Sequence, residues 1–201
     1  MKRKFYSLTS IRRRDFSYNT RKISRFNRTT PKKPRLLITN GISPPKLNPA
    51  NKIAAGDWAE VYLEGNKITR AIYPADSNQK MLKKLTKSSY LQNYARDRAK
   101  VAPRVYSVGM RTDGRIYQTM EYLQGYTPLH ATNVDKRQVD LVARKLARHN
   151  IAHNDINTGN IMVSPRGRIK IIDFDTATIK PGGSQGDRNL LTRIGNLYHR
   201  K

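Results

Sequence analysis

The clearest periodicity in the chain lies between residues 135 and 149, where Val139, Val142, Ala143, Leu146 and Ala147 recur at i, i+3, i+4, i+7 and i+8. This is the apolar stripe of an amphipathic helix, with Thr132 or Asn133 as the cap just upstream. Residues 77–94 contain neither Gly nor Pro and predict a second helix. Elsewhere, short apolar runs bounded by turn residues predict strands. Residues 53–63 and 67–73 read as a hairpin around Glu64, Gly65 and Asn66, where Gly or Asn accepts a positive φ. A strand at 104–108 is followed by the Asp113-Gly114 turn and a strand at 115–123. Two further strands, 161–163 and 169–172, flank the turn formed by Ser164, Pro165, Arg166, Gly167 and Arg168. No internal repeat is visible.

The first 48 residues break from this pattern. Their longest purely apolar run is Leu36, Leu37 and Ile38, far short of a signal-peptide core or a membrane span, so neither is expected. Of the 40 Lys and Arg residues, 14 lie among residues 1–46 beside one acid, Asp15, so half of the net charge of +26 sits in under a quarter of the chain. The Pro-rich stretch from Gly41 to Pro49 predicts an extended linker. The expected organisation is therefore a basic, disordered tail over 1–48 and one folded domain over 49–201. The chain has no cysteine, which excludes disulfides, thiolate catalysis and Cys-based zinc sites. His130, His149, His153 and His199 show no metal-binding spacing.

The candidate chemistry flanks the last predicted hairpin. The loop from His153 to Asn160 enters its first strand, and Asp173, Phe174 and Asp175 leave its second. The hairpin folds both ends together, gathering Asp155, Asn160 and Asp173. Two carboxylates and an amide are oxygen ligands suited to Mg²⁺, which takes one or two carboxylates plus substrate phosphates. Phosphoryl transfer needs such a metal and a carboxylate to orient and deprotonate an incoming hydroxyl.

The pattern H-x-D-x-x-x-x-N followed by D-F-x resembles the catalytic loop and metal motif of the protein-kinase-like superfamily. The likeness implies an α+β, truncated two-lobe fold with a small β-rich N-lobe and a reduced helical C-lobe, and ATP and Mg²⁺ as cofactors. It makes Asp155 the catalytic base and Asn160 and Asp173 the metal ligands. The segment from Ile53 to Val61 falls where a glycine-rich phosphate loop belongs, with Ala54, Gly56 and Ala59 supplying small residues. Met120 falls at the gatekeeper position, and the backbone of Glu121 and Leu123 would meet the adenine edge. The β3 lysine and its helix glutamate are not plainly present. Arg70 is the preferred cation because guanidinium carries a fixed charge, with Tyr73 and Lys67 as alternatives. No carboxylate lies between Asp76 and Asp97, so any ion pair must be rebuilt another way. Asp187 reads either as an anchor for the catalytic loop backbone or as a helix N-cap.

The Asp-Ile-Asn-Thr-Gly-Asn loop, the Ala-Glu-Val segment, the final basic helix and the 26 residues left after Asp175 resemble the minimal effector kinases of bacterial type III secretion. That resemblance implies a Ser/Thr protein kinase with an N-terminal secretion segment. It would act as a monomer in the cytoplasm of a host cell, on a chaperone or ubiquitin-pathway protein. Asn157 stands where protein Ser/Thr kinases carry lysine, which leaves a small-molecule kinase of the aminoglycoside or choline type as an alternative. A pseudokinase or basic binding module is a further one. Phe5, Tyr6, Phe16, Tyr18 and Phe26 lie in no RNA-binding motif, so nucleic acid is not an expected partner.

Overall fold

The computed structural model describes residues 44–129 and 134–198. Of the expected tail only residues 44–48 are described, and the proposed caps Thr132 and Asn133 lie outside the described residues.

The first layer is a five-stranded antiparallel sheet. Its strands are β1 (Lys52–Ala55), β2 (Ala59–Glu64), β3 (Lys67–Ile72), β4 (Val105–Met110) and β5 (Ile116–Glu121), in the order β1-β2-β3-β5-β4. The single strand expected over 53–63 is thus two strands. The chain reverses through Gly56, Asp57 and Trp58, where the Gly56 N–H donates to the Ala59 carbonyl at 2.9 Å. The second hairpin turns at Gly65, φ +57°, where a positive φ favours glycine. Helix α1 (Gln79–Tyr94) follows β3 and is capped by Asn78, whose side chain accepts from the Met81 N–H. Leu85 of α1 joins Ala59, Ile72, Val105, Val108 and Ile116 in one apolar core, with Trp58, Met81, Leu82 and Met120 at its margin. The helix leaves through a wider, π-type turn over Ala95–Ala99.

The second layer has its own core. It contains β6 (Thr127–Pro128), α2 (Lys136–Arg148), β7 (Ile151–Ala152), β8 (Ile161–Val163), β9 (Ile169–Ile171), β10 (Thr178–Ile179) and α3 (Gln185–Leu197). β6, β8 and β9 make a three-stranded sheet, and β7 pairs with β10. The apolar stripe of α2 faces inward as its periodicity requires, with Val139, Val142 and Leu146 buried against Ile151, Ile171, Leu191 and Ile194. Its N-cap is Asp135 rather than the Thr132 or Asn133 expected from sequence, because the Asp135 carboxylate accepts from the Arg137 N–H at 2.8 Å. α2 and α3 pack closely at Gly195, where a Cβ would come within 3.3 Å of Lys136 Cγ. Two cores, one under the five-stranded sheet and one around α2, give the α+β, two-lobe kinase-like fold.

Candidate active site

Between the lobes lies a cleft of about 270 Å³, and its walls carry most of the residues singled out from sequence. Arg70, Met120, Glu121, Leu123, Asn160 and Asp173 all line it, joined by Ile53, Ile68 and Met162, which supply apolar surface. Ala54 and Gly56 lie exposed on β1 and the turn after it. Ala59 points the other way, into the core beneath the sheet. Ile53 is the cleft-lining residue of this segment, at the point where the β1–β2 register shifts between Lys52 and Ala54. At the rim, the Leu123 carbonyl accepts from the Tyr126 N–H, and the Glu121 N–H donates to the Arg104 carbonyl. The Leu123 N–H takes no backbone partner among the described residues.

Asp155 sits on the loop between β7 and β8, held by its own loop. Its Oδ2 and its backbone carbonyl both accept from Asn160 Nδ2, at 3.0 and 2.9 Å. Asn157 Nδ2 donates to its Oδ1 at 3.3 Å. Asn157 also closes the turn, its Oδ1 accepting from the Gly159 and Asn160 N–H groups at 2.9 and 3.0 Å. A lysine could not make those acceptor contacts, so the departure at Asn157 has a local structural purpose. With its nitrogen committed to Asp155, Asn160 has its amide oxygen left for another partner.

Asp187 settles one of the two readings left open above. Its carboxylate accepts from the His153 N–H at 2.6 Å and the Asn154 N–H at 3.1 Å, so it anchors the catalytic loop. The N-cap of α3 is Ser184, whose hydroxyl accepts from the Asp187 N–H at 3.2 Å. His153 is fully buried, its ring edge-on to Phe174 at 4.7 Å, and burial pushes its pKa below the ordinary imidazole range. The neutral ring, protonated at Nε2, donates to the Ile172 carbonyl at 3.0 Å.

Asp173 adopts a left-handed backbone, φ +61°, a conformation that costs a non-glycine residue and is retained mostly where function over-determines it. Its Oδ1 is buried and without a hydrogen-bond partner among the described residues. Burial, followed by the nearby charge of Asp175, raises its pKa. A carboxylate oxygen with no hydrogen-bond partner and the amide oxygen of Asn160, both on residues lining the one cleft, fit a hard cation such as Mg²⁺. Among the described residues no group of three or more His, Cys, Asp or Glu side chains forms a metal site, so this mixed pair is the candidate.

Of the three residues weighed for the β3-lysine position, Arg70 is the one at the cleft. Lys67 lies over the Tyr106 ring at 5.3 Å, and Tyr73 follows the end of β3 under the Arg115 guanidinium. Arg70 Nη1 is 3.7 Å from Asp173 Oδ1 and its Nη2 is 3.1 Å from Asp175 Oδ1. Asp175 and Ser88 were not among the site residues read from sequence. The available signals were the missing helix carboxylate and the missing glycine after Phe174, two absences that only a structure connects.

Residues 86–181 match the family model described as the ABC1 atypical kinase-like domain. Two probable serine/threonine-protein kinases of Dictyostelium discoideum, mkcC and mkcD, are 38% and 34% identical to this chain over 72 and 74 residues. Those matches cover 31% and 32% of this chain and 8% and 11% of theirs. A third probable serine/threonine-protein kinase of the same organism is 27% identical over 142 residues, covering 61% of this chain and 30% of its own. The chain thus spans less than a third of the length of these relatives. The fold and the matches agree on a protein-kinase-like domain.

Proposed function

We propose that this chain is an ATP- and Mg²⁺-dependent protein kinase that moves the γ-phosphoryl group to a serine or threonine hydroxyl. The observation that carries the reading is the unpartnered Asp173 oxygen on the wall of an apolar cleft that Asn160 also lines, with Asp155, outside the lining, tied to Asn160 by its side-chain amide. Ile53, Ile68, Met120 and Met162 offer apolar surface to a purine, and the Leu123 N–H offers it a donor. Asn160 and Asp173 would hold Mg²⁺, which supplies charge neutralisation at the phosphate oxygens when bound. Arg70 supplies a fixed positive charge on the same wall. Asp155 orients the acceptor hydroxyl and takes its proton, the two side-chain amides of Asn157 and Asn160 holding its carboxylate in place.

A protein acceptor is favoured by the serine/threonine-protein kinase names of the matched relatives. Delivery into a host cell rests on the resemblance to minimal effector kinases, and a translocation reporter fused to residues 1–48 tests it. The decisive assay is transfer of labelled γ-phosphate into a protein lysate with Mg²⁺, comparing the native chain with Asp155→Ala and Asp173→Ala. Labelled serine or threonine with the native chain alone is the expected result. Equal labelling by all three sinks the proposal, and a labelled soluble metabolite with unlabelled protein reassigns the acceptor to a small molecule.

A further inference from the structure

Two departures from the kinase pattern fill one another in space. Helix α1, where a carboxylate is expected, has none, and the position after Phe174, a glycine in the D-F-G motif, is Asp175. Asp175 Oδ1 accepts from Arg70 Nη2 at 3.1 Å and from Ser88 Oγ of α1 at 2.8 Å. Its other oxygen faces Lys84 Nζ, also on α1, at 3.8 Å. One carboxylate oxygen therefore joins a strand of the sheet, the helix and the turn that carries Asp173.

We propose that Asp175 is the positioning carboxylate of the nucleotide site: it holds Arg70 on the phosphate-binding wall and, through Ser88, fixes α1 to the metal-binding turn. The proposal rests on the kinase reading above. Its physical basis is a division of labour between two neighbouring acids. The Asp175 side chain is 10% exposed, so its attraction for the guanidinium is little screened, whereas Lys84 is half exposed and contributes less. The Arg70 guanidinium also lies over the Trp58 ring, its carbon 4.9 Å from the ring centre, a further favourable contact for the cation. Without Asp175, the remaining carboxylate beside Arg70 among the described residues is Asp173, at 3.7 Å. Arg70 would then close on the oxygen a metal needs. Asp175 thus keeps the cation and the metal ligand apart, work a glycine cannot do.

The test is binding of a non-hydrolysable ATP analogue with Mg²⁺ to the full chain, measured by calorimetry beside steady-state kinetics and thermal melting. Asp175→Asn, nearly isosteric, is expected to weaken nucleotide binding about tenfold or more, the range for losing a charged hydrogen bond, and to raise KM for ATP more than it lowers kcat. Because Asp175 acts mainly through Arg70, Asp175→Asn should cost less in an Arg70→Ala background than in the native chain, the remainder being its hold on Ser88. Ser88→Glu combined with Asp175→Gly should bind better than Asp175→Gly alone, because Ser88 and Arg70 meet at one oxygen and a glutamate can reach the vacated position. If Asp175→Gly does not fold, the asparagine variant carries the test. Native affinity in Asp175→Asn, or the same loss with and without Arg70, overturns the proposal while leaving the kinase reading intact. Absence of nucleotide binding by the native chain overturns both.

Discussion

At the scale of single residues, the catalytic loop is ordered by side chains that accept from its backbone. Asn157 closes one end and Asp187 the other, and Asp187 is buried with two loop N–H groups on its carboxylate. Truncating it strands the His153 N–H, in a fully buried residue, away from water. Asp187→Ala is expected to cost about 1–3 kcal/mol of stability and to lower kcat more than it raises KM, since the loop that carries Asp155 loses its anchor. Thermal melting and steady-state kinetics read the two effects separately. Asp155→Ala differs in kind: it should keep nucleotide binding and lose transfer by about 10²–10⁴. The contrast separates a group that meets the acceptor from one that holds the loop.

At the scale of elements, the five-stranded sheet is tied on one face by Glu60. Tyr62 Oη and Arg115 Nη2 each donate to its carboxylate at 2.7 Å and Lys52 Nζ does so at 3.3 Å, joining β1, β2 and β5. Arg115 also reaches the Ala71 and Ile72 carbonyls at the end of β3. The Tyr62 hydroxyl and Arg115, opposed by burial and helped by Lys52, bring the Glu60 pKa from 4.5 down to about 2. A depressed carboxylate pKa means that the charged form is stabilised by folding. The contribution is therefore complete above about 4.5 and disappears as pH falls through about 2. The melting temperatures of the native chain and Glu60→Gln should differ most above pH 4.5 and converge toward pH 2. A constant difference across that window would remove Glu60 as the cause. The same sheet holds Arg70 on β3, so the network stiffens the strand that carries the cleft cation.

At the scale of the two lobes, the cleft separates two apolar cores, and among the described residues the charged contacts across it include Arg70 to Asp173 and Asp175 and Lys84 to Asp175. A ligand filling it binds the folded state alone. ATP with Mg²⁺ at a hundred times its Kd should add about 2.7 kcal/mol of apparent stability, seen as a rise in melting temperature. Asp155→Ala should keep that rise and Asp173→Ala should lose the Mg²⁺-dependent part of it. All the residues placed at the site lie between Ile53 and Asp187, so removing residues 1–43 should leave phosphoryl transfer in place. Loss of transfer on that deletion would assign the basic segment a part in catalysis. No helix among the described residues is long and apolar enough to cross a membrane. The sequence by itself determined the positions of Asp155, Asn160 and Asp173, because their spacing is set by one loop and one short hairpin. It determined α2 as well, whose stripe repeats within a few turns. The break of the first strand at Gly56 was not legible, since a small-residue run with one glycine continues a strand as readily as it turns one. Only the tertiary structure decided which cation faces the cleft and which carboxylate holds it. Arg70 and Ser88 meet Asp175 from 105 and 87 residues away, and such a meeting depends on how a strand, a helix and a turn pack, not on local spacing.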